Sequence, residues 1–370
     1  MSASPSAALV TPSFEGDFSP DEAFSLEAGG VLPAPTLRYA IYGEPNAASD
    51  NVVFVAHALS GSARVGDWWP WLFTGAGPFH PGNTCVIGMN MLGSCYGSTG
   101  PGSIDPLTGS RYGAHFPLIS IRDNVRLQAK LLAHLNIHRL KLVMGASIGG
   151  MQALELALQF PELVARVICI GAAPLPAMGL GLNHLQRQMI QLDPAWLGGD
   201  YDPNRPPRRG LAMARALAVC TYKSPELFDH RYMRRPDRSG EDPWASLHEQ
   251  DLGLSGQRFD VAGYLDYQGE RFVDRFDANA YLAITRTMDT FDPARGYLSA
   301  EAAYRRIQAE VIMIGISSDW LFPPAEIAAL AASLVKAGVR CQHGELISSH
   351  GHDAFLAQPD ELAQLLHSFL

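Results

Sequence analysis

The pentapeptide Gly145-Ala146-Ser147-Ile148-Gly149 sets a serine between glycines, where an apolar run over 140–144 meets a run of helical character over 149–158. A strand that turns at once into a helix through G-x-S-x-G forces the serine into a cramped backbone conformation, which glycines tolerate because they bring no Cβ into the turn. The Ser147 hydroxyl would then stand at the end of a sheet. The following helix would point its N-terminus at the same place, so the backbone N–H of Ile148 could stabilise an oxyanion. A serine hydroxyl is a poor nucleophile at neutral pH and needs a base that a third group orients. Behind such an elbow the partners follow in the order Ser, Asp, His. Two loops supply them: Ser317-Ser318-Asp319 after the apolar run 310–316, and Ser348-Ser349-His350-Gly351-His352-Asp353 after the run 340–347. We assign Ser147 as nucleophile, His352 as general base and acid, and Asp319 as the group orienting His352. His352 is preferred to His350 because Gly351 leaves room for the loop to present it. The rival reading of these histidines and Asp353 as a metal site lacks further ligands, so no metal is expected.

The elements that must carry these residues are legible as a rhythm. Residues 36–43 alternate like an early antiparallel strand, with Leu37, Tyr39 and Ile41 on one face. The continuous apolar run 51–56 reads as a central strand buried on both faces. It ends in His57-Ala58-Leu59-Ser60-Gly61, a loop placed to give the second oxyanion donor, assigned to the backbone N–H of Leu59; His57 is read as shaping the turn. Further strands follow at 84–89, 165–171, 310–316 and 340–347. Helices at 119–135, 149–158, 323–337 and 359–370 alternate with them, so the sheet should be mostly parallel with right-handed crossovers. Trp68, Trp69 and Trp71 read as core or pocket wall. The Gly/Ser-rich loop over 93–103 leaves a strand's carboxyl end, where ligands of α/β sheets bind, and is expected to line the site. From about 174 to 297 the rhythm gives way to helical patterns. An inserted helical lid over 174–297 is expected, with 1–173 and 298–370 forming the catalytic domain.

Composition narrows the class. The chain has 370 residues, 47 % apolar and 18 % charged, enough for a large core. A net charge of -9 argues against nucleic acid or an anionic membrane as partner. No signal sequence or membrane-length apolar run is visible, and the five cysteines are scattered, which fits reduced thiols in a cytoplasmic protein.

The motifs together resemble the homoserine O-acetyltransferases of the α/β-hydrolase fold. The likeness rests on 57–61 (HALSG), 93–101 (GSCYGSTGP), 145–153 (GASIGGMQA), 275–282 (RFDANAYL), 318–324 (SDWLFPP) and 351–356 (GHDAFL), with Ala146 and His350 as small departures. It implies an α/β-hydrolase fold with an inserted lid and a ping-pong transfer of acetyl from acetyl-CoA, a co-substrate, to L-homoserine. It also implies a homodimer joined through lid helices, no cofactor, and a place in methionine synthesis. Arg215 and Asp353 would hold the amino-acid substrate. Independently, Arg215 sits in a helix apolar nearly all round, over 210–220, where a guanidinium demands an anion: a substrate carboxylate or a carboxylate of the lid itself. Tyr222, seven positions on, shares its helical face and could add a hydroxyl. Asp353 would take the substrate ammonium or else brace its loop. Succinyl-CoA users of the wider family tend to carry arginine where this chain has Leu321, so Leu321 favours acetyl. A succinyl donor, serine as acceptor, a plain esterase and a non-catalytic receptor on the same fold remain as alternatives.

Overall fold

The structure, a computed structural model, describes residues 10–75, 77–235 and 259–369. Among the described residues there are ten strands: β1 (Phe14–Phe18), β2 (Phe24–Ser25), β3 (Val31–Leu32), β4 (Leu37–Tyr42), β5 (Val52–Ala56), β6 (Cys85–Met89), β7 (Leu142–Ala146), β8 (Arg166–Ile170), β9 (Glu310–Ile316) and β10 (Cys341–Leu346). Apart from the short β2–β3 hairpin, they form one sheet in the order β1-β4-β6-β5-β7-β8-β9-β10. The pairs β1–β4 and β4–β6 are antiparallel and every other pair is parallel.

Parallel strands need covered faces, and their continuous apolar runs supply both. In β5, Val52, Phe54 and Ala56 face one core and Val53 and Val55 the other. Leu37, Tyr39 and Ile41 of β4 do share a face, but Ala40 and Tyr42 are buried opposite, so the outward side of that strand is covered too.

The helices are α1 (Val65–Trp68), α2 (Ile121–His134), α3 (Ile148–Gln159), α4 (Ala177–Gln191), α5 (Arg208–Tyr222), α6 (Pro225–Arg231), α7 (Asp260–Val273), α8 (Ala278–Asp289), α9 (Ala300–Tyr304), α10 (Pro324–Lys336), α11 (Ala354–Ala357) and α12 (Pro359–His367). Helices α2, α3 and α10 pack on the first face, whereas Trp69, Leu72 and α12 fill the second. Helix α2 starts at a reciprocal cap: Ser120 Oγ accepts from the Asp123 N–H while Asp123 Oδ2 accepts from the Ser120 N–H at 2.9 Å. Helices α4 to α8 lie between β8 and β9, in the range expected for a lid, of which residues 236–258 are outside the described residues. The charged run Arg234-Arg235-Pro236-Asp237-Arg238 extends into this range, and of it only Arg234 and Arg235 are described. Among the described residues, no helix is long and apolar enough to cross a membrane.

Candidate active site

The register of the parallel strands puts the chemistry on one edge. Ala56 pairs with Gly145, Ala146 with Ile170, Ile170 with Ile314, and Leu346 with Ile316, so β5, β7, β8, β9 and β10 all end at the same rim. The loops leaving β5, β7, β9 and β10 carry Leu59, Ser147, Asp319 and His352.

Ser147 has φ 57° and ψ −130°, a left-handed backbone that a side chain rarely adopts. Its N–H donates to Ile170 O at 2.9 Å, and the turn is closed by glycines on both sides. A Cβ at Gly145 would strike the backbone of Gly149, and one at Gly149 the carbonyl of Ala56. Ile148 is the first residue of α3, so its N–H is among those a helix leaves without an internal partner.

Asp319 and His352 are both buried, with His352 Nδ1 2.6 Å from Asp319 Oδ2. A carboxylate can only accept, so Nδ1 carries the proton and Nε2 presents its lone pair. The other carboxylate oxygen, Oδ1, accepts the N–H groups of Leu321 and Phe322, each at 2.9 Å. His352 Nε2 is buried and has no hydrogen-bond partner among the described residues, and it borders the same cavity as Ser147. Burial alone would lower the His352 pKa, but the charge and hydrogen bond of Asp319 outweigh it and hold the imidazole above its ordinary 6.5. The paired serines before each residue tie the two loops together. Gly351 N–H donates to Ser318 Oγ and Ser348 N–H to Ser317 Oγ, both at 2.9 Å.

Ser147 and His352 open into a cavity of about 290 Å³ whose wall includes Leu59, Trp68, Arg215, Tyr222, Arg275 and Asp353. Arg215 lies with its guanidinium 4.8 Å from the Phe272 ring and 5.3 Å from that of Tyr222. Its Nε is buried and unpartnered, and among the described residues no carboxylate pairs with it. Among the described residues the internal ion pair weighed for Arg215 is not made, and an anion entering the cavity would meet its open Nε. Asp353 also borders the cavity, but it is not bare: Lys223 Nζ stands 2.8 Å from its Oδ2. A substrate ammonium would have to share that carboxylate with Lys223.

Two expectations change. Leu321 is only 6 % exposed, packs into the core beside Phe322, and is not part of the cavity wall that contains Ser147. The turn that gives its N–H to Asp319 directs the side chain into the core, so Leu321 meets the site through its backbone and its side chain is not on the cavity wall. The loop over 93–103 does not line this cavity either; it stands behind it, where Tyr96 Oη accepts from Arg275 Nη1 at 2.9 Å. His57 is wholly enclosed. Its Nδ1 bonds Ala58 O at 2.7 Å, its Nε2 accepts the Met91 N–H at 3.1 Å, and burial lowers its pKa to about 4, so it shapes its loop as a neutral ring. Trp69 is core and Trp68 cavity wall.

Residues passed over in the sequence are Lys223, Ser60, Phe355 and Leu356; of these, Phe355 and Leu356 directly follow the histidine loop, which was the available signal. Burial pushes the thiols of Cys85, Cys95 and Cys341 up to about 11 and raises those of Cys169 and Cys220, so none offers a thiolate near neutrality. No group of three or more metal-ligating side chains converges among the described residues.

The profile of the "alpha/beta hydrolase fold" family matches residues 51–359. The chain is 40 % identical to a homoserine O-acetyltransferase of Chlorobium chlorochromatii, covering 95 % of this chain and 94 % of that protein. It is 41 % identical to one of Trichormus variabilis, covering 94 % and 91 %. Among solved structures, homoserine O-acetyltransferase from Bacillus anthracis superposes with a TM-score of 0.87 at 24 % identity, over 96 % of this chain and 97 % of that one. Esterase E22 superposes with 0.83 at 24 % identity, over 96 % and 99 %. At such identities the superpositions speak for the fold alone, which a transferase and an esterase share.

Proposed function

The chain belongs to the homoserine O-acetyltransferase family on the α/β-hydrolase fold, and from that premise we propose that it moves the acetyl group of acetyl-CoA to the side-chain hydroxyl of L-homoserine through an acyl-Ser147 intermediate. One observation carries the mechanism: the buried His352–Asp319 pair, with Nε2 open among the described residues, borders the same cavity as the strained Ser147 and Arg215, whose Nε has no partner among them.

His352 Nε2 takes the proton of Ser147 Oγ as that oxygen attacks the thioester carbonyl. The N–H groups of Leu59 and Ile148 receive the oxyanion, and the carbon–sulfur bond breaks as His352 returns the proton to the CoA sulfur. Homoserine then enters with its carboxylate on Arg215, where a guanidinium offers two parallel donors, and its ammonium on Asp353; Tyr222 adds a hydroxyl to the same pocket. His352 Nε2 removes the proton of the homoserine hydroxyl, whose oxygen attacks the acyl carbon. Ser147 leaves as the alkoxide and recovers the proton, releasing O-acetyl-L-homoserine. CoA and homoserine are substrates, and the scheme calls for no cofactor or metal.

Two further parts of the reading have support of their own. Met178, Leu185 and Leu192, seven apart along and just past α4, are exposed apolar residues on one stripe, which suits a homodimer formed through the helical insert. Five free cysteines suit a cytoplasmic setting.

The test crosses acetyl-CoA and succinyl-CoA with homoserine and serine while CoA release is followed. The reading expects release that depends on homoserine and acetyl-CoA and vanishes in Ser147→Ala. Equal release without any amino acid would make the protein a hydrolase instead.

A further inference from the structure

Leu59 can serve an oxyanion only if its N–H is held in place, and its loop is pinned on both sides of Leu59 by hydrogen bonds that reach beyond it. On one side His57 fastens the start of the loop to the Met91 N–H and to Ala58 O. On the other, the pin comes from the helical insert. Arg275 Nη1 donates to Ser60 O at 3.1 Å and to Tyr96 Oη at 2.9 Å, and Nη2 reaches Ser60 Oγ at 3.4 Å. Ser60 is the residue directly after Leu59.

The guanidinium is itself well supported. It lies 5.0 Å from the centre of the Phe272 ring, while the Arg275 N–H donates to Phe272 O at 3.1 Å in the turn between α7 and α8. Tyr96 is steadied by the edge of Phe276 at 5.7 Å. Among the described residues all the acceptors of Arg275 are neutral and no carboxylate pairs with it. Neutral acceptors are what hold it there. A planar fork of donors can bridge a backbone carbonyl, a hydroxyl and a phenol at once, which a lysine ammonium does less well.

We infer that Arg275 is a positioning residue: it ties the helical insert to the Ser60 carbonyl and so sets the Leu59 N–H for the oxyanion. This rests on the acyl-Ser147 reading above. Its consequence is that the oxyanion site is complete only when the insert is seated, so the element that holds the amino acid also assembles the acylation machinery.

The test measures single-turnover acylation of Ser147 by two donors, acetyl-CoA and 4-nitrophenyl acetate, which lacks the nucleotide. Arg275→Ala, Arg275→Lys and Tyr96→Phe are compared with the wild type. Misplacing one oxyanion donor should slow acylation about 10- to 100-fold in Arg275→Ala, equally for both donors and with the homoserine KM unchanged. Arg275→Lys should recover part of the rate, and Tyr96→Phe should lose a few-fold. Slowing with acetyl-CoA only would overturn the inference in favour of a contact with the donor's phosphates. A rise in homoserine KM at an unchanged acylation rate, or a lowered melting temperature with full acylation, would overturn it as well. Should Arg275→Ala fail to fold, the lysine and Tyr96→Phe variants decide by the same criteria. A wild type that acylates from 4-nitrophenyl acetate but transfers nothing to homoserine would defeat the transferase reading, while the acylation rates would still judge Arg275.

Discussion

Replacing Asp319 by asparagine tests the proton relay at its most constrained point. Oδ1 accepts two backbone N–H groups at 2.9 Å and Oδ2 faces His352 Nδ1 at 2.6 Å. An asparagine that keeps its oxygen on the two amides must turn its NH2 towards Nδ1. That holds the imidazole in the tautomer with Nε2 protonated, which cannot take the proton of Ser147. The opposite rotamer would restore the tautomer, but it sets the NH2 against two buried N–H donors, at about 1–3 kcal/mol for each donor stranded. The productive tautomer should therefore fall to about three per cent or less, and the lost stabilisation of the imidazolium adds to the deficit. Together they predict acylation slowed about 10³- to 10⁴-fold, or about 4–5.5 kcal/mol. Single-turnover acylation followed across pH reads this out. In the wild type the acidic limb should lie above the ordinary histidine value of 6.5, because Asp319 raises His352 against the effect of burial. In the variant, burial remains without the Asp319 charge, so the limb should move to lower pH and the deficit shrink as the solution is acidified. A variant that acylates within about tenfold of the wild type, with its acidic limb unmoved, would refute the relay.

Arg215→Lys keeps the charge but loses the fork, so the homoserine KM should rise about 10- to 100-fold while acylation by acetyl-CoA stays near the wild-type rate, a split visible in steady-state kinetics. Because burial holds His57 near 4 against an ordinary 6.5, its contribution to stability is fully present above pH 6.5 and is lost as the pH falls through 4. Urea unfolding should accordingly show about 3 kcal/mol of acid sensitivity over that window in the wild type that His57→Gln lacks. Gly351 has φ +71°, and a Cβ there would lie 2.6 Å from Ser224 N and 2.8 Å from Tyr222 O. Gly351→Ala should cost about 2–4 kcal/mol in chemical denaturation and should slow acylation, since His352 is the next residue.

The elbow was readable because its demand is local: the turn geometry at Ser147 needs glycines within two residues, and any chain that makes the turn shows them. The buried strands were readable for a similar reason, since a sheet covered on both faces requires unbroken apolar runs such as 310–316, which coincides with β9. Element ends were less sharp. The nucleophile strand runs to Ala146 rather than stopping at Met144, because parallel pairing with Ile170 continues up to the turn itself.

Sequence alone thus determined the order of the chemical groups and the element that carries each, because nearest-neighbour sterics and hydrophobic period are written along the chain. Tertiary structure decided who meets whom. Lys223 closes on Asp353, Arg275 reaches Ser60, Leu321 turns inward, and the loop over 93–103 stands behind the cavity instead of lining it. These outcomes depend on how far the helical insert settles over the rim of the sheet and on loop paths between residues more than a hundred positions apart. No periodicity encodes such distances; they are set by the packing of side chains that only the folded chain brings together.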